Sequence, residues 1–293
     1  MGKIRSLVEF DGKVGNLVGA KGKDGSYTLR KYQPRPRDGK TQEQMTMRVA
    51  LANMVAQWRS MNNADRPSFE SKPEGWSDFN AFISMNSGQN MVYLTKSEAR
   101  MGTCIVAPYW MTSGSLPTIP ASSMSGGKFK TNIALGDLVL DEDTTVSTFT
   151  KAIMNNNTGF ENGDKITCIL IKQTWSEYQP CKAEAIVEGV VLNKEDNTKI
   201  YDVVSDAGFS ANDGYLASKS TVTGGICWVH SRKDVVSGKL LVSSQLLQVN
   251  NTLLETYMSD YQKKNAINSY GGVKYRGALY PVAEPTEAAE VNP

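Results

Sequence analysis

Histidine is almost absent from this chain of 293 residues: His230 is the only one. Catalysis by a serine or cysteine nucleophile normally needs a neighbouring base, so such a site could be built only around this residue. In the segment ICWVHSR, strand alternation places His230 on the face of Ile226 and Trp228 and turns Cys227 to the opposite face. We therefore expect a packed histidine, no catalytic residues and no enzymatic activity.

Cysteine is also scarce. The four cysteines, Cys104, Cys168, Cys181 and Cys227, form no C-x-x-C pair, and one histidine cannot complete a zinc site around them. They are expected to be buried thiols rather than disulfides. The sequence predicts neither a metal site nor a cofactor.

Long apolar runs are missing as well. The N-terminus lacks the apolar core of a secretory signal, and no window is long enough to span a bilayer. We expect synthesis in the cytoplasm without a signal peptide and no membrane partner. Phosphate-binding loops are lacking too. Residues 12–19, GKVGNLVG, match neither the dinucleotide-binding spacing nor the Walker spacing. Phe129 follows Gly126-Gly127-Lys128 at the position where the Walker motif needs a hydroxyl.

What the chain does contain is material for a core and an uneven distribution of charge. Hydrophobic residues make up 40% of it and aromatic residues 9%, which indicates a folded protein. Residues 1–50 carry eleven basic and five acidic side chains, a local charge of +6 in a chain of +2, so the remaining 243 residues sum to −4. The basic excess therefore belongs to the N-terminus alone.

The first 96 residues are predicted to form a basic β-hairpin arm followed by a helical layer. RSLVEF, GKVGNLVG and SYTLRKY alternate apolar and polar residues between the turn dipeptides Asp11-Gly12 and Asp24-Gly25, and residues 33–37, QPRPR, should be extended. Thr41 and Gln44 form a capping box that opens a helix. Two apolar stripes indicate two packed helices: Met47, Leu51, Met54, Trp58 and Met61, then Trp76, Phe79, Phe82 and Ile83.

Residues 97–280 are predicted to be mostly β, with a short helix carrying Val146, Phe149, Ile153 and Met154. Strands are expected in KITCILIKQTW, AEAIVEGVVLN, TKIYDVV, GGICWVHSR and GKLLVSSQLLQV, with turn signals between them. A last helix begins at a second capping box, Thr252 and Glu255, and residues 281–293 form an acidic flexible tail. The predicted fold is α+β, mainly β, with an antiparallel immunoglobulin-like sandwich closed by the C-terminal helix.

The candidate interaction site is the cationic arm. It is expected to dock on protein, although its cations and two tyrosines, Tyr27 and Tyr32, would also suit the phosphates and bases of a nucleic acid. A glycan site on exposed aromatics of the sandwich is a further alternative. The predicted partner-binding residues are Lys13, Lys21, Lys23, Arg30, Lys31, Arg35 and Arg37.

Four segments resemble a family of uncharacterised proteins from gut Bacteroidota and their phages, known as a domain of unknown function: GKVGNLVG, YTLRKYQPRPR, KTQEQ and GKLLVSSQ. The resemblance implies an N-terminal hairpin and helix, an immunoglobulin-like sandwich and a place in mobile elements or virions, and it brings no catalytic residues. Our hypothesis is a non-enzymatic structural protein, a phage virion or assembly component. Its expected partners are further copies of itself and other virion or assembly proteins.

Overall fold

The computed structural model describes residues 12–22, 27–32, 41–61, 68–70, 72–176 and 179–271. Within them the chain is α+β and mainly β, as predicted. The strands are β1 (Gly12–Val14), β2 (Leu17–Lys21), β3 (Tyr27–Lys31), β4 (Trp110–Thr112), β5 (Ala121–Met124), β6 (Lys128–Ala134), β7 (Lys165–Ser176), β8 (Gln179–Val191), β9 (Ser210–Asn212), β10 (Tyr215–Ala217), β11 (Gly225–Lys233), β12 (Leu240–Val242), β13 (Gln245–Leu246) and β14 (Gln248–Val249). The helices are α1 (Gln42–Ser60), α2 (Asp78–Asn86), α3 (Lys96–Arg100), α4 (Val146–Asn156), α5 (Ile200–Val203), α6 (Leu254–Met258) and α7 (Asp260–Ser269).

The N-terminal arm is a three-stranded antiparallel sheet in the order β1-β2-β3. GKVGNLVG, predicted as one strand, is itself a hairpin: Val14 pairs with Leu17 across a turn of Gly15 and Asn16. Gly15 has a φ of +56°, and glycine at the first central position favours such a two-residue turn. The segment RSLVEF, the Asp24-Gly25 turn and the QPRPR segment lie outside the described residues, as does the acidic tail.

The centre of the molecule is an antiparallel sheet in the order β12-β11-β7-β8, with β14 also paired to β11. The predicted strands KITCILIKQTW, AEAIVEGVVLN and GGICWVHSR form β7, β8 and β11. In β7, Ile166 and Leu170 are buried on one face, and Ile169 and Ile171 are buried on the other. The apolar run ITCILI is therefore explained by burial on both faces.

Different layers cover the two faces of this central sheet. One face packs against α4 and a smaller sheet in the order β5-β6-β10-β9, in a core that includes Phe149, Phe209 and Trp228. The other face packs against α1, α2 and a buried extended segment, residues 104–111. Residues from both sides of position 96 share this second core, and the boundary there stays a prediction.

Two carboxamide side chains of α1 form the hydrogen bonds with that buried segment that a neighbouring strand would otherwise form. Asn53 accepts from Ile105 N and donates to Ile105 O, each at 2.8 Å. One helical turn later, Gln57 accepts from Ala107 N at 2.9 Å and donates to Ala107 O at 3.2 Å. These bonds satisfy backbone groups that could not otherwise be buried without a large cost.

This arrangement changes which face of α1 is buried. The capping box of Thr41 and Gln44 is confirmed, with Gln44 N donating to Thr41 Oγ1 at 3.2 Å. The predicted stripe is wrong at its start, because Met47 and Leu51 are 37% and 39% exposed. Instead, α1 directs its buried amides, Asn53 and Gln57, toward residues 104–111. A search for apolar residues at helical spacing does not identify polar residues that belong to the core.

Two further predictions are wrong. TKIYDVV contains α5 rather than a strand, because Ile200 and Val204 are buried at a helical spacing of four while Val203 is exposed. The expected helix at Thr252 is two helices, α6 and α7, and α6 begins after Leu253 without a side-chain cap hydrogen bond, so the predicted capping box of Thr252 and Glu255 is not formed.

The last helix also has a different partner from the one expected. Ala266 and Ile267 of α7 are buried against Met45, Val49 and Ala50 of α1. α7 therefore extends the helical layer, whereas Leu254 and Tyr257 of α6 pack against the core between that layer and the central sheet.

Candidate functional site

Four described cations of the predicted site lie on the three strands of the arm: Lys13, Lys21, Arg30 and Lys31. Residues opposite each other in neighbouring strands share a face. The pairing of Val18 with both Lys13 and Arg30 places those two cations on one face. Strand alternation then places Lys21 and Lys31 on the other face. The arm therefore presents two pairs of cations rather than one basic surface.

The other predicted site residues, Lys23, Arg35 and Arg37, lie outside the described residues. The two tyrosines expected to stack on bases are contacted by lysines of their own sheet. Lys13 Nζ lies 3.7 Å from the ring centroid of Tyr32, and Lys21 Nζ lies 5.4 Å from that of Tyr27. These cation–π contacts stabilise the arm itself.

The face with Lys21 and Lys31 is also the apolar face of the arm, which we call the Val14–Leu17 face. Lys31 pairs with Leu17, which pairs in turn with Val14, so the three form one row across the sheet. Val14 is 62% exposed and Leu17 is 48% exposed. Cross-strand neighbours of this kind normally lie against a core. Here they present apolar surface to the outside.

The arm does not contribute to the hydrophobic core of the described residues. None of the three hydrophobic clusters among the described residues contains a residue from positions 12–32. Within the described part of the chain, its strands pair only with one another. As far as the described residues extend, the arm is thus a single layer of three short strands, and such sheets are marginally stable alone.

A second cluster of functional interest surrounds His230 on β11. His230 Nε2 lies 2.8 Å from Oδ2 of Asp164, and both side chains are nearly inaccessible. Arg232 donates to the same carboxylate twice, from Nε to Oδ1 and from Nη2 to Oδ2, each at 2.7 Å. Arg232 also donates to Glu161 Oε1 at 2.7 Å and to Gly159 O at 2.8 Å.

The hydrogen bonds determine the charge of Asp164. Burial by itself would raise the pKa of this carboxyl, but the bonds from Arg232, His230 and Glu161 N outweigh it and hold the pKa well below its usual value. Asp164 is therefore an ionised acceptor at neutral pH. Its bond to His230 requires the proton on Nε2, which leaves Nδ1 as an acceptor in the neutral imidazole.

This geometry confirms His230 as a packed residue, 1% exposed, with Ile226 and Trp228 in the core on its side of the sheet and Cys227 in the core on the other. Burial raises the pKa of Cys227 far above its usual value, so it is a thiol and not a nucleophilic thiolate. Among the described residues, no hydroxyl or thiol hydrogen-bonds to the imidazole of His230. The cluster can orient an imidazole, but it does not form a nucleophile–base pair.

Sequence reasoning did not connect His230 with Asp164 or Arg232. Arg232 is two residues beyond His230 and therefore on the same strand face, which was a usable signal. Asp164 is 66 positions earlier, and only the antiparallel pairing of β11 with β7, His230 opposite Ile166, brings it close.

The described residues contain no group of three or more His, Cys, Asp or Glu side chains placed to hold a metal ion. Nor does any helix within them have the length and apolar character needed to cross a membrane. All four cysteines are free and buried, which confirms the prediction of buried thiols. Comparisons with protein-family models, curated proteins and solved structures found no match to this chain.

Proposed function

We propose that this protein is a non-enzymatic structural subunit, a phage virion or assembly component, that forms homo-oligomers through its N-terminal arm. The observation that carries the proposal is the Val14–Leu17 face: two large apolar side chains, side by side and about half exposed or more, on a sheet outside the described core. A surface of this kind gains free energy when a partner covers it.

The charges of the arm also support docking on protein. Lys21 and Lys31 lie on the Val14–Leu17 face beside its apolar side chains. The chain outside residues 1–50 has a net charge of −4. Opposite charges on arm and body speed the encounter of two copies, and the apolar contact then holds them. The division of the described cations between two faces fits a single phosphate track less well.

The proposal includes an immunoglobulin-like character for the body. The central sheet and the β5-β6-β10-β9 sheet are both antiparallel and share one hydrophobic core, which supports a sandwich arrangement. Rigid β bodies linked by extended arms are a suitable design for a repeating assembly, since each arm can add contact area only when it docks.

The test is the oligomeric state of the full chain with the Val14–Leu17 face made polar. We expect the wild type to sediment as an oligomer and Val14→Ser/Leu17→Ser to shift toward the monomer, because the double variant removes the apolar contact. Val18→Ser is the matched control, since Val18 pairs with Lys13 on the opposite face. Sedimentation velocity at several concentrations gives the comparison.

A wild-type chain that stays monomeric at high concentration would refute the proposal. Equal loss of assembly in the control would refute the role of the Val14–Leu17 face specifically. Binding of DNA or RNA that weakens steeply with added salt, and is lost in Lys13→Gln/Arg30→Gln, would favour the nucleic-acid alternative.

A further inference from the structure

A pocket of about 320 Å³ opens beside the His230 cluster. It lies between the loop that follows Leu116, strand β6 and the turn after α4, with His230 contributing to its wall. The pocket is at the small end of the size range for small-molecule sites and has room for one ring-sized ligand. Its lining residues are Pro117, Thr118, Ile119, Asn132, Ile133, Asn156, Asn157, Thr158, Gly159, Phe160 and His230.

His230 gives the pocket a polar atom, Nδ1, that forms no hydrogen bond with the described residues. The residue is 1% exposed, and its Nε2 is used by Asp164. Nδ1 makes no hydrogen bond with the described residues, yet it is not among their fully enclosed, unsatisfied polar atoms. Nδ1 is therefore open to the pocket. In the neutral imidazole, where Asp164 keeps the proton on Nε2, Nδ1 offers a lone pair to a donor in the pocket.

The remainder of the lining defines the chemistry of the ligand. Asn132, Thr118 and Thr158 are exposed and make no side-chain hydrogen bond with the described residues. The ring of Phe160, whose centroid lies 4.6 Å from that of His230 with the planes tilted by 36°, supplies an apolar surface. No lysine, arginine, aspartate or glutamate lines the pocket. A charged ligand would find no counter-charge there, whereas a neutral ligand rich in hydroxyl groups could use each of these atoms.

We propose that this pocket binds an uncharged sugar ring, with a ligand hydroxyl donating to His230 Nδ1. Asn132 and Thr158 bind further hydroxyl groups, and Phe160 contacts the C–H face of the ring. Asp164 and Arg232 do not touch the ligand; they orient His230 and fix its tautomer. This inference concerns a different surface from the arm, and it does not depend on the proposed assembly.

The single histidine makes the proposal directly measurable. A long-range ¹H–¹⁵N spectrum of the full chain contains one imidazole, so both ring nitrogens are assigned without mutation. The free protein should show the Nε2–H tautomer. Titration with N-acetylglucosamine, glucose or galactose should shift Nδ1, with glucosamine and glucuronic acid as charged probes that bind at least tenfold more weakly.

Two variants locate the site without disturbing the buried cluster. Asn132→Ala and Thr158→Val should each weaken sugar binding about threefold to tenfold, the effect of one lost hydrogen bond. Asn155→Ala is the matched control, because Asn155 is also exposed but does not line the pocket. Saturation-transfer NMR measures the binding of each variant.

Three results would overturn the proposal. The first is that none of the neutral sugars shifts Nδ1 or shows saturation transfer. The second is that the charged probes bind as tightly as the neutral ones. The third is that Asn132→Ala and Asn155→Ala change affinity equally.

Discussion

Asp164 and His230 are joined by a hydrogen bond of 2.8 Å between two almost inaccessible side chains, one immediately before β7 and the other within β11. Arg232 balances the charge of Asp164 with two further bonds to the same carboxylate. The pair therefore fastens the turn before β7 to the neighbouring strand. It also fixes which nitrogen of the only imidazole remains free.

We expect Asp164→Asn to lower the free energy of unfolding by about 3–5 kcal/mol at pH 7, the usual result of removing one partner from a buried ionic network. The amide cannot accept from Arg232 and His230 as the carboxylate does, and it leaves the guanidinium partly buried without its counter-charge. Urea unfolding followed by tryptophan fluorescence measures the loss. Asp143→Asn is the control: Asp143 pairs with Lys199 at the exposed surface, where solvent screens the two charges, so this change should lower the free energy of unfolding far less than Asp164→Asn.

The same pair predicts how stability depends on acid pH. The pKa of Asp164 in the folded protein lies below its ordinary value of 3.8. As the pH falls, the unfolded chain therefore binds the proton first, so the stability from this group is present above that value and is lost below it. Between pH 5 and pH 2 the wild type should lose more stability than Asp164→Asn. Parallel acid dependence of the two proteins would show that Asp164 has no depressed pKa.

Local sequence patterns predicted those strands and helices whose surroundings change little along their length. The apolar run in β7, the capping box at Thr41 and the amphipathic α4 were all predictable because each reports burial or capping within a few residues. The class, α+β and mainly β, follows from the same signals.

The rest depends on partners distant in sequence. Asn53 and Gln57 are buried because residues 104–107, about 50 positions away, need their amides, so a hydrophobic pattern places the wrong face of α1 inward. The pocket and its pair, Asp164 and His230, likewise depend on the register of β7 with β11. Lys13, Arg30 and Lys31 lie on strands as predicted, but their division between two faces required the pairing of Val18.

The carboxamide contacts give a prediction about α1. Gln57→Leu keeps a similar volume but leaves Ala107 N and O without their bonds, at a cost of about 1–3 kcal/mol for each buried group. We therefore expect a loss of roughly 2–6 kcal/mol in the free energy of unfolding. Gln42→Leu, at an exposed position of the same helix, should change it by less than about 0.5 kcal/mol. Chemical denaturation of both variants decides the question; equal effects would mean that the buried amide is dispensable.

The four thiols provide a readout of where the structure opens. Burial raises the pKa of Cys104 to about 12 and also raises those of Cys168, Cys181 and Cys227. Since the thiolate is the reactive form, all four should resist Ellman's reagent at pH 8 until the protein opens, and all four should react in guanidinium chloride.

The thiols should not become accessible together. Cys104 begins the segment held by α1, and its backbone N donates to Cys181 O at 2.8 Å, whereas Cys168 is buried on the opposite face of the central sheet. Gln57→Leu weakens the hold of α1 on that segment, so it should speed labelling of Cys104 and Cys181 by a larger factor than labelling of Cys168. Peptide mapping after a timed pulse of iodoacetamide separates the four sites. Uniform acceleration would instead indicate that the helical layer and the central sheet open as one cooperative unit.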